Sequence, residues 1–330
     1  MDFKALEIEQ LLPDLTKFKS ACLKHSEHPN SKIQEICQHL LTAKGKHLRP
    51  GLVLITSYLI DSQPTNIDTI NAAASIELVH VGSLHHDDVI DASSTRRGKT
   101  SINHEWDNKT AILSGDYLLG KASEIASDIS IDVAKILSET ISALCVGQML
   151  ELFDLFNENR TTVNYLKAIE GKTATLFASS CKLGVIKADE VLQNQLWNYG
   201  YNLGMSFQLI DDILDYTQPE EVLGKPCGND IKEGNLSLPA IYALEENPKI
   251  KEEVASLFKA NGTNTAPDEA LLEKITGMIK STDAINRTKI LANEYCEKAK
   301  LSIEESNTSV NSQIKQKLID IVNLLQHRIS

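Results

Sequence analysis

The sequence lacks most of what marks a secreted, membrane-spanning or nucleic-acid-binding protein. Its six cysteines, Cys22, Cys37, Cys145, Cys181, Cys227 and Cys296, are scattered with no CxxC pair. They form no disulfide framework or zinc motif and read as reduced, mostly core thiols. No charged-then-apolar leader opens the chain, and no run of about 18 apolar residues interrupts it. The expectation is therefore a soluble, cytoplasmic protein with no transmembrane segment, with contact to a membrane surface left open. Cations are in deficit: 33 Lys and Arg stand against 45 Asp and Glu, a formal net charge of −12. That balance argues against nucleic acid as a partner. It also means that any anionic substrate must be met by local clusters of cations. Strand-length alternation is nearly absent, and no repeat of roughly 20–50 residues appears.

What the chain does have is helical periodicity. Its 330 residues, 42% of them hydrophobic, can bury a large core. Length alone suggests about two domains, but the pattern reads as a single all-α domain over residues 1–330. A long helix is expected from about Ile67 to Asp91, capped by Asn66 or Asp68. Further helices are expected over about 110–127, 131–156, 161–186, 190–217, 235–246, 268–280, 283–303 and 312–327. The segment 217–235 is rich in Gly, Pro and charge and reads as a functional lid. The stretch 259–269 is a plainer connector, and nothing C-terminal to it suggests chemistry.

Two acidic runs carry the most information: Asp87-Asp88-Val89-Ile90-Asp91 and Asp211-Asp212-Ile213-Leu214-Asp215. Both sit among apolar residues, where carboxylates are costly unless paired or holding a metal. The first and last Asp of each run share a helix face at i and i+4. Two such faces turned toward each other would make a cage of hard oxygen ligands suited to Mg²⁺ between protein and substrate phosphates. A solvated acidic face is the plain alternative for one run alone, and two copies in apolar surroundings reverse that preference. Neither run has the spacing of a calcium-binding EF-hand loop.

Four basic spots punctuate the helices. They are Lys44-Gly45-Lys46-His47-Leu48-Arg49-Pro50 before a helix starting near Pro50, Arg96-Arg97-Gly98-Lys99, Gly171-Lys172-Thr173, and Gly224-Lys225-Pro226 in the lid. His80 shares a helix face with Asp87. Each has a bland alternative as a solvated loop or a core histidine, and Gly171-Lys172-Thr173 lacks the rest of a P-loop. Together they describe acidic runs for Mg²⁺ and separate cations for phosphates. A greasy substrate with a diphosphate head fits both.

At this point the residues resemble a family, the trans-type isoprenyl diphosphate synthases or polyprenyl synthetases. The resemblance runs from about Lys44 to Leu244. It rests on Gly-Lys-His-Leu-Arg-Pro (45–50), Leu-His-His-Asp-Asp-Val-Ile-Asp (84–91), Arg-Arg-Gly-Lys (96–99), Ser-Gly-Asp-Tyr-Leu-Leu (114–119), Gly-Lys-Thr (171–173), Phe-Gln-Leu-Ile-Asp-Asp-Ile-Leu-Asp (207–215), and Gly-Lys-Pro with Asp-Ile-Lys-Glu-Gly-Asn (224–226, 230–235). It implies a large helical bundle around a central cavity, normally a homodimer, in some members completed by a small regulatory subunit. The implied reaction is head-to-tail condensation: an allylic diphosphate ionises, isopentenyl diphosphate attacks the cation, and a proton is lost. By matching position, Asp87, Asp91 and Asp211 hold about three Mg²⁺ ions, and Asp88, Asp212 and Asp215 support that cage. Lys46, Arg49, His80 and Arg97 bind isopentenyl diphosphate. Arg96, Lys172, Gln208 and Lys225 contact the allylic diphosphate, and Thr173 lies near the reacting carbon. The departing diphosphate is the expected proton acceptor.

Two positions depart from the family's pattern. His85 stands where many relatives carry an apolar residue, and Asn235 where short-chain members often carry Lys. Product length is read from the helix before Asp87. Gly82 and Ser83 are small where short-chain relatives place an aromatic ring, and Val79, Ile76, Ser75, Ala74, Ala73 and Ala72 continue without one. The expectation is a product of about six to eight isoprene units, roughly C30–C40, with close helix packing as the other reason for small residues. Trp106-Asp107-Asn108 resembles heptaprenyl synthase catalytic subunits. The alternatives are a shorter-chain synthase, one subunit of a two-component enzyme, a non-catalytic partner subunit, and a class I terpene cyclase.

Overall fold

The computed structural model describes residues 6–60, 65–218, 227–261, 269–304 and 310–329. In chain order the elements are α1 (Leu11–His25), α2 (Ser31–Gln38), α3 (Leu48–Ser57), α4 (Ile67–Ile90), the hairpin β1 (Thr95–Arg96) and β2 (Lys99–Thr100), α5 (Ile102–Glu105), α6 (Asn108–Ile129), α7 (Ile131–Phe153) and α8 (Thr162–Ile169). A π-helical turn, Glu170–Ala174, follows, then α9 (Thr175–Gly184), α10 (Glu190–Thr217), α11 (Asn229–Lys232), α12 (Leu238–Glu246), α13 (Pro248–Asn261), α14 (Glu269–Lys280), α15 (Ala284–Glu304) and α16 (Ser312–Gln326). The protein is all-α, as its periodicity requires.

The helices start where the sequence supplies caps. Asn66 accepts from the Thr69 amide to open α4, Asp107 from Thr110 to open α6, and Thr161 from Asn164 to open α8. Each cap satisfies an amide with no intrahelical partner and stabilises its helix by about 1 kcal/mol.

The chain forms two compact units. The first comprises Met1–Ser142, Leu176–Gly200 and Ser302–Ile321, and the second Ala143–Thr175, Tyr201–Leu301 and Val322–Ser330. In the first unit α4 is the central helix, with Ile70, Ile76, Leu78, Val79 and Val81 all buried. It packs most extensively against α6, then against α3 and α1. The α4–α6 crossing closes at two glycines. A Cβ on Gly82 would lie 3.0 Å from the Gly115 carbonyl oxygen, and one on Gly115 would lie 2.9 Å from the Gly82 carbonyl oxygen. Small residues there let two backbones touch. In the second unit α12, α13 and α14 pack on one another.

Four features differ from the sequence expectation. The helix expected over 161–186 is interrupted by the π turn, because Gly171 lies against Gly147 of α7 and the chain must carry an extra residue past that contact. Helix α13 was not anticipated, although Pro248 at its first turn and Ile250, Val254, Leu257 and Phe258 give it a start signal and a buried stripe. Residues 95–100 form a hairpin whose two turn residues, Arg97 (φ 53°) and Gly98 (φ 75°), both adopt the left-handed conformation that a tight hairpin turn demands. Within the expected lid, residues 229–232 are helical, and 219–226 lie outside the described residues.

Among the described residues one helix, α7, is long and apolar enough by length and composition to cross a bilayer, which no run in the bare sequence had suggested. It carries an exposed apolar face, with Val146, Met149, Leu152 and Phe153 on successive turns.

Candidate active site

In the first unit the chemistry gathers along α4. Asp87 lies half-buried in its last turn, and Asp91 is its C-cap residue and exposed. Their carboxylates are one turn apart at an open helix end. Asp88 points the other way and is buried; its Oδ1 accepts from Arg96 Nε at 2.7 Å. Burial pushes the Asp88 carboxyl up, against the downward pull of Arg96. Arg96 thus anchors the hairpin to α4, in addition to any contact its terminal nitrogens make with a substrate.

The isopentenyl-diphosphate candidates arrive from three segments of this unit. Arg49, in the first turn of α3, places Nη1 3.3 Å from His80 Nε2 and stacks its guanidinium 4.8 Å over the Phe177 ring. Burial, reinforced by the Arg49 charge, holds His80 well below the usual imidazole range. It is neutral at pH 7 and accepts the arginine's hydrogen bond. Arg97 donates from Nη1 to Glu77 Oε1 at 3.2 Å. Lys46 is exposed on the loop before α3. His85 is buried, with Nδ1 2.9 Å from Ser114 Oγ, and burial together with the neighbouring His86 and His39 charges holds its pKa down to about 3.

In the second unit the π turn presents Lys172 and Thr173. The Lys172 ammonium pairs with Glu151 of α7. Thr173 Oγ1 donates to Gln208 Oε1 at 3.0 Å, and Gln208 Nε2 donates to Asp212 Oδ1 at 2.9 Å. The other oxygen of Asp212 accepts from the Tyr165 hydroxyl. Burial, then the charge of Asp230, pushes the Asp212 carboxyl up to about 7 despite those two donors. Asp215 is buried, and Asp211 is half-exposed. Asp211 Oδ1 pairs with Arg328 Nη1 at 2.8 Å, and the same guanidinium lies 5.9 Å over the Phe207 ring. The C-terminal segment, expected to carry no chemistry, therefore reaches a candidate metal ligand. Lys225 lies outside the described residues.

The donor set fits Mg²⁺. Asp87, Asp91 and Asp211 offer accessible hard oxygens. Among the described residues no three His, Cys, Asp or Glu groups are gathered closely enough to hold a metal alone.

Sequence reasoning missed four partners: Glu77, Glu151, Tyr165 and Arg328. Glu77 had a visible signal, an acidic residue inside the apolar stretch Ile76–Leu78–Val79. The others become partners only through tertiary contacts.

A helical protein with two aspartate-rich helix ends, each accompanied by its own cations, is built for diphosphate chemistry. Comparison with known proteins gives the class its name. Residues 30–275 match the polyprenyl synthetase family, and the chain belongs to it. It is 38% identical over 299 residues to heptaprenyl diphosphate synthase component 2 of Bacillus subtilis, covering 90% of this chain and 82% of that protein. Among solved structures, heptaprenyl diphosphate synthase from Staphylococcus aureus superposes with a TM-score of 0.87 at 32% identity, covering 97% of this chain and 99% of that one. A polyprenyl synthase from Caulobacter crescentus, complexed with calcium and isoprenyl diphosphate, gives 0.87 at 29% identity and 98% coverage of each. The chain is a chain-elongating prenyltransferase.

Proposed function

We propose that this enzyme condenses isopentenyl diphosphate head-to-tail with an allylic diphosphate, in a Mg²⁺-dependent reaction, to give a long-chain product of about C30–C40. The observation that carries this reading is the convergence of Arg49, His80 and Arg97 from three separate segments along the helix that ends in Asp87 and Asp91. One diphosphate gathered by those cations lies beside carboxylates able to serve a second, metal-bound one.

In this reading Arg49, Arg97 and Lys46 hold isopentenyl diphosphate, and neutral His80 orients Arg49. Lys172 holds the allylic diphosphate, with Glu151 fixing its ammonium. Gln208, oriented by Asp212, holds the Thr173 hydroxyl so that its oxygen can face a developing carbocation. Asp212, itself held by Tyr165, is a support for Gln208. Asp87 and Asp91 in the first unit, and Asp211 in the second, would each offer oxygens to Mg²⁺, which when bound would supply charge neutralisation for the leaving diphosphate. The calcium bound in the Caulobacter crescentus polyprenyl synthase supports a divalent ion, and the match to a protein named as component 2 favours a second reading in which a small partner completes the enzyme.

The structure separates the two small residues before Asp87. Gly82 is occupied by the α4–α6 crossing, whereas half-buried Ser83 lies about 100° further round the helix. Val79, Ile76 and Ala72 continue the Ser83 stripe. Ala72 lies about 22 Å from Asp87 along the axis, at 1.5 Å per residue. There it lines a cavity of about 230 Å³ with Thr69, Ile129, Val133 and Leu183, and none of the described residues lining it is aromatic.

The test uses purified protein with Mg²⁺, farnesyl diphosphate and labelled isopentenyl diphosphate, with products resolved by length. A ladder ending at a long product is expected. Ser83→Phe should shorten it, and Gly82→Phe should unfold the α4–α6 contact instead. An unchanged ladder from Ser83→Phe overturns the length reading. Incorporation that appears only after a second protein is added selects the two-component reading.

The exposed faces of α6 (Ile112, Leu113) and α7 (Val146, Met149, Leu152, Phe153) fit a second copy of the chain better than lipid. Thr140 of α7 hydrogen-bonds Ser179 at 2.6 Å, and Gly147 is locked against Gly171, so the helix is engaged by protein on its other side. A dimer that falls to monomer mass on sedimentation when Phe153 becomes Asp is expected. A wild-type monomer would overturn this assignment.

A further inference from the structure

Glu77 is buried at 2% exposure in the middle of α4, and nothing in the reaction described above uses it. A carboxylate there is costly unless charged or strongly polar partners meet it. Its Oε1 has two: His47 Nδ1 at 3.3 Å and Arg97 Nη1 at 3.2 Å. Burial raises its pKa, and the His47 hydrogen bond, followed by electrostatic interactions with its neighbours, Arg97 among them, overcomes that and brings it to about 2.

Both partners have unusual backbones. His47 has φ 45° and Arg97 φ 53°, and left-handed geometry is strained for a residue with a Cβ. Strain of this kind persists only where the surroundings over-determine it. Here one buried anion ties down both side chains. The two segments also touch: a Cβ on Gly45 would lie 3.4 Å from His47 Cε1 and 3.5 Å from Arg97 Nη1. His47 is further braced by Phe18, whose ring meets it edge-on at 5.5 Å. The loop so fixed carries Lys46 and leads directly into Arg49, and the turn so fixed is Arg97 itself. An apolar side chain would serve packing as well or better. A charge serves to hold cations in place against their mutual repulsion while leaving their remaining N–H groups for a ligand.

We propose that Glu77 is a positioning residue for isopentenyl diphosphate, a buried anion that holds the Gly45–Arg49 loop and the Arg97–Gly98 turn so that their cations converge on one diphosphate. This rests on the assignment of Lys46, Arg49 and Arg97 to that substrate. Glu77 touches no substrate and acts through Arg97 and His47.

The test is steady-state kinetics in both substrates. Glu77→Gln keeps shape and an acceptor but loses the charge. It should raise KM for isopentenyl diphosphate on the order of tenfold, leave KM for the allylic diphosphate within about twofold, and largely spare kcat at saturation. Glu77→Asp, which keeps the charge, should restore part of the loss. Arg97→Gln should raise the same KM, and the double variant should raise it by less than the product of the two single effects, since the Arg97 tether is lost only once. If Arg97→Gln raises that KM while Glu77→Gln leaves it unchanged, or if Glu77→Gln raises both KM values alike, the positioning role is wrong. If Arg97→Gln changes nothing, the substrate assignment itself fails. Should Glu77→Gln not fold, His47→Gln removes one tether only and should give the same one-sided rise, smaller in size; no rise would overturn the proposal.

Discussion

The contact between α7 and the π turn gives a prediction whose sign is fixed by geometry. Gly147 lies inside a helix, where replacing Gly by Ala normally stabilises by about 1 kcal/mol. A Cβ there would sit 2.2 Å from the Lys172 amide nitrogen, 2.7 Å from the Ala168 carbonyl oxygen and 2.7 Å from the Gly171 carbonyl carbon. All three are backbone atoms, so no side chain can swing aside, and the helix and turn must separate by about 1 Å to restore ordinary contact. Overpacking of this kind costs about 1–3 kcal/mol or more. Gly147→Ala should therefore be net destabilising by about 1–2 kcal/mol. Gly277→Ala is the control in the same unit. It is also helical, with nothing within 4 Å of its Cβ, and should stabilise by about 0.5–1 kcal/mol. Urea midpoints distinguish the two signs. The atom displaced belongs to Lys172, so turnover should fall as well, on the order of a hundredfold for a displacement near 1 Å. A Gly147→Ala variant as stable as Gly277→Ala would refute the contact. One that loses stability but keeps full turnover would refute the link between this crossing and Lys172.

Two further predictions concern charge. His85 is held down to about pKa 3, first by burial. An unfolded chain takes up that proton near pH 6.5, so below that pH the unfolded state binds more protons and stability falls as pH falls toward 3. His85→Leu removes this dependence and should gain about 2 kcal/mol on wild type between pH 7 and pH 5; denaturation midpoints at the two pH values check it, and a gap that stays constant would show that His85 does not titrate as described. Arg328 and Asp211 are each about a third exposed, at 32% and 39%, so their ion pair is worth less than about 1 kcal/mol. Arg328→Gln should barely shift the urea midpoint, yet if Asp211 is a metal ligand it should tighten Mg²⁺ binding by the substrate-free enzyme a few-fold, read by calorimetry. Unchanged or weaker binding would show that Arg328 does not compete with the ion.

How much of this was legible beforehand depended on whether a property is local. Helix α4 announces itself through Asn66 and through apolar residues on every side, and the acidic runs announce themselves through residue type and spacing. The same holds for the cations at 46, 49, 96, 97 and 172. Helix α13 was equally legible, since Pro248 and its buried stripe follow ordinary rules, and its omission reflects the polar Lys249–Lys251–Glu252–Glu253 surface that hides the pattern. The hairpin could have been found from Arg97-Gly98, but two-residue strands leave no alternation to see. The π turn was out of reach. Glu170–Ala174 has helical composition, and only Gly147, more than twenty residues away, forces the extra residue into the turn.

Gly82 and Ser83 show why residue size read from sequence is ambiguous. Adjacent residues on a helix point about 100° apart, so two neighbouring small side chains cannot both line the same channel. The Gly115 carbonyl claims Gly82. On the proposed reading that leaves Ser83 and the stripe through Val79, Ile76 and Ala72 to meet the growing product. Glu77 belongs to neither face. It falls where α4 meets the 45–49 loop and the hairpin turn, and there its charge organises two strained segments at once. On the proposed reading one helix serves packing, chain length, cation positioning and metal binding on separate faces and turns, which accounts for a composition that is apolar over most of its length and yet interrupted by Glu77, His80, His85 and the aspartates.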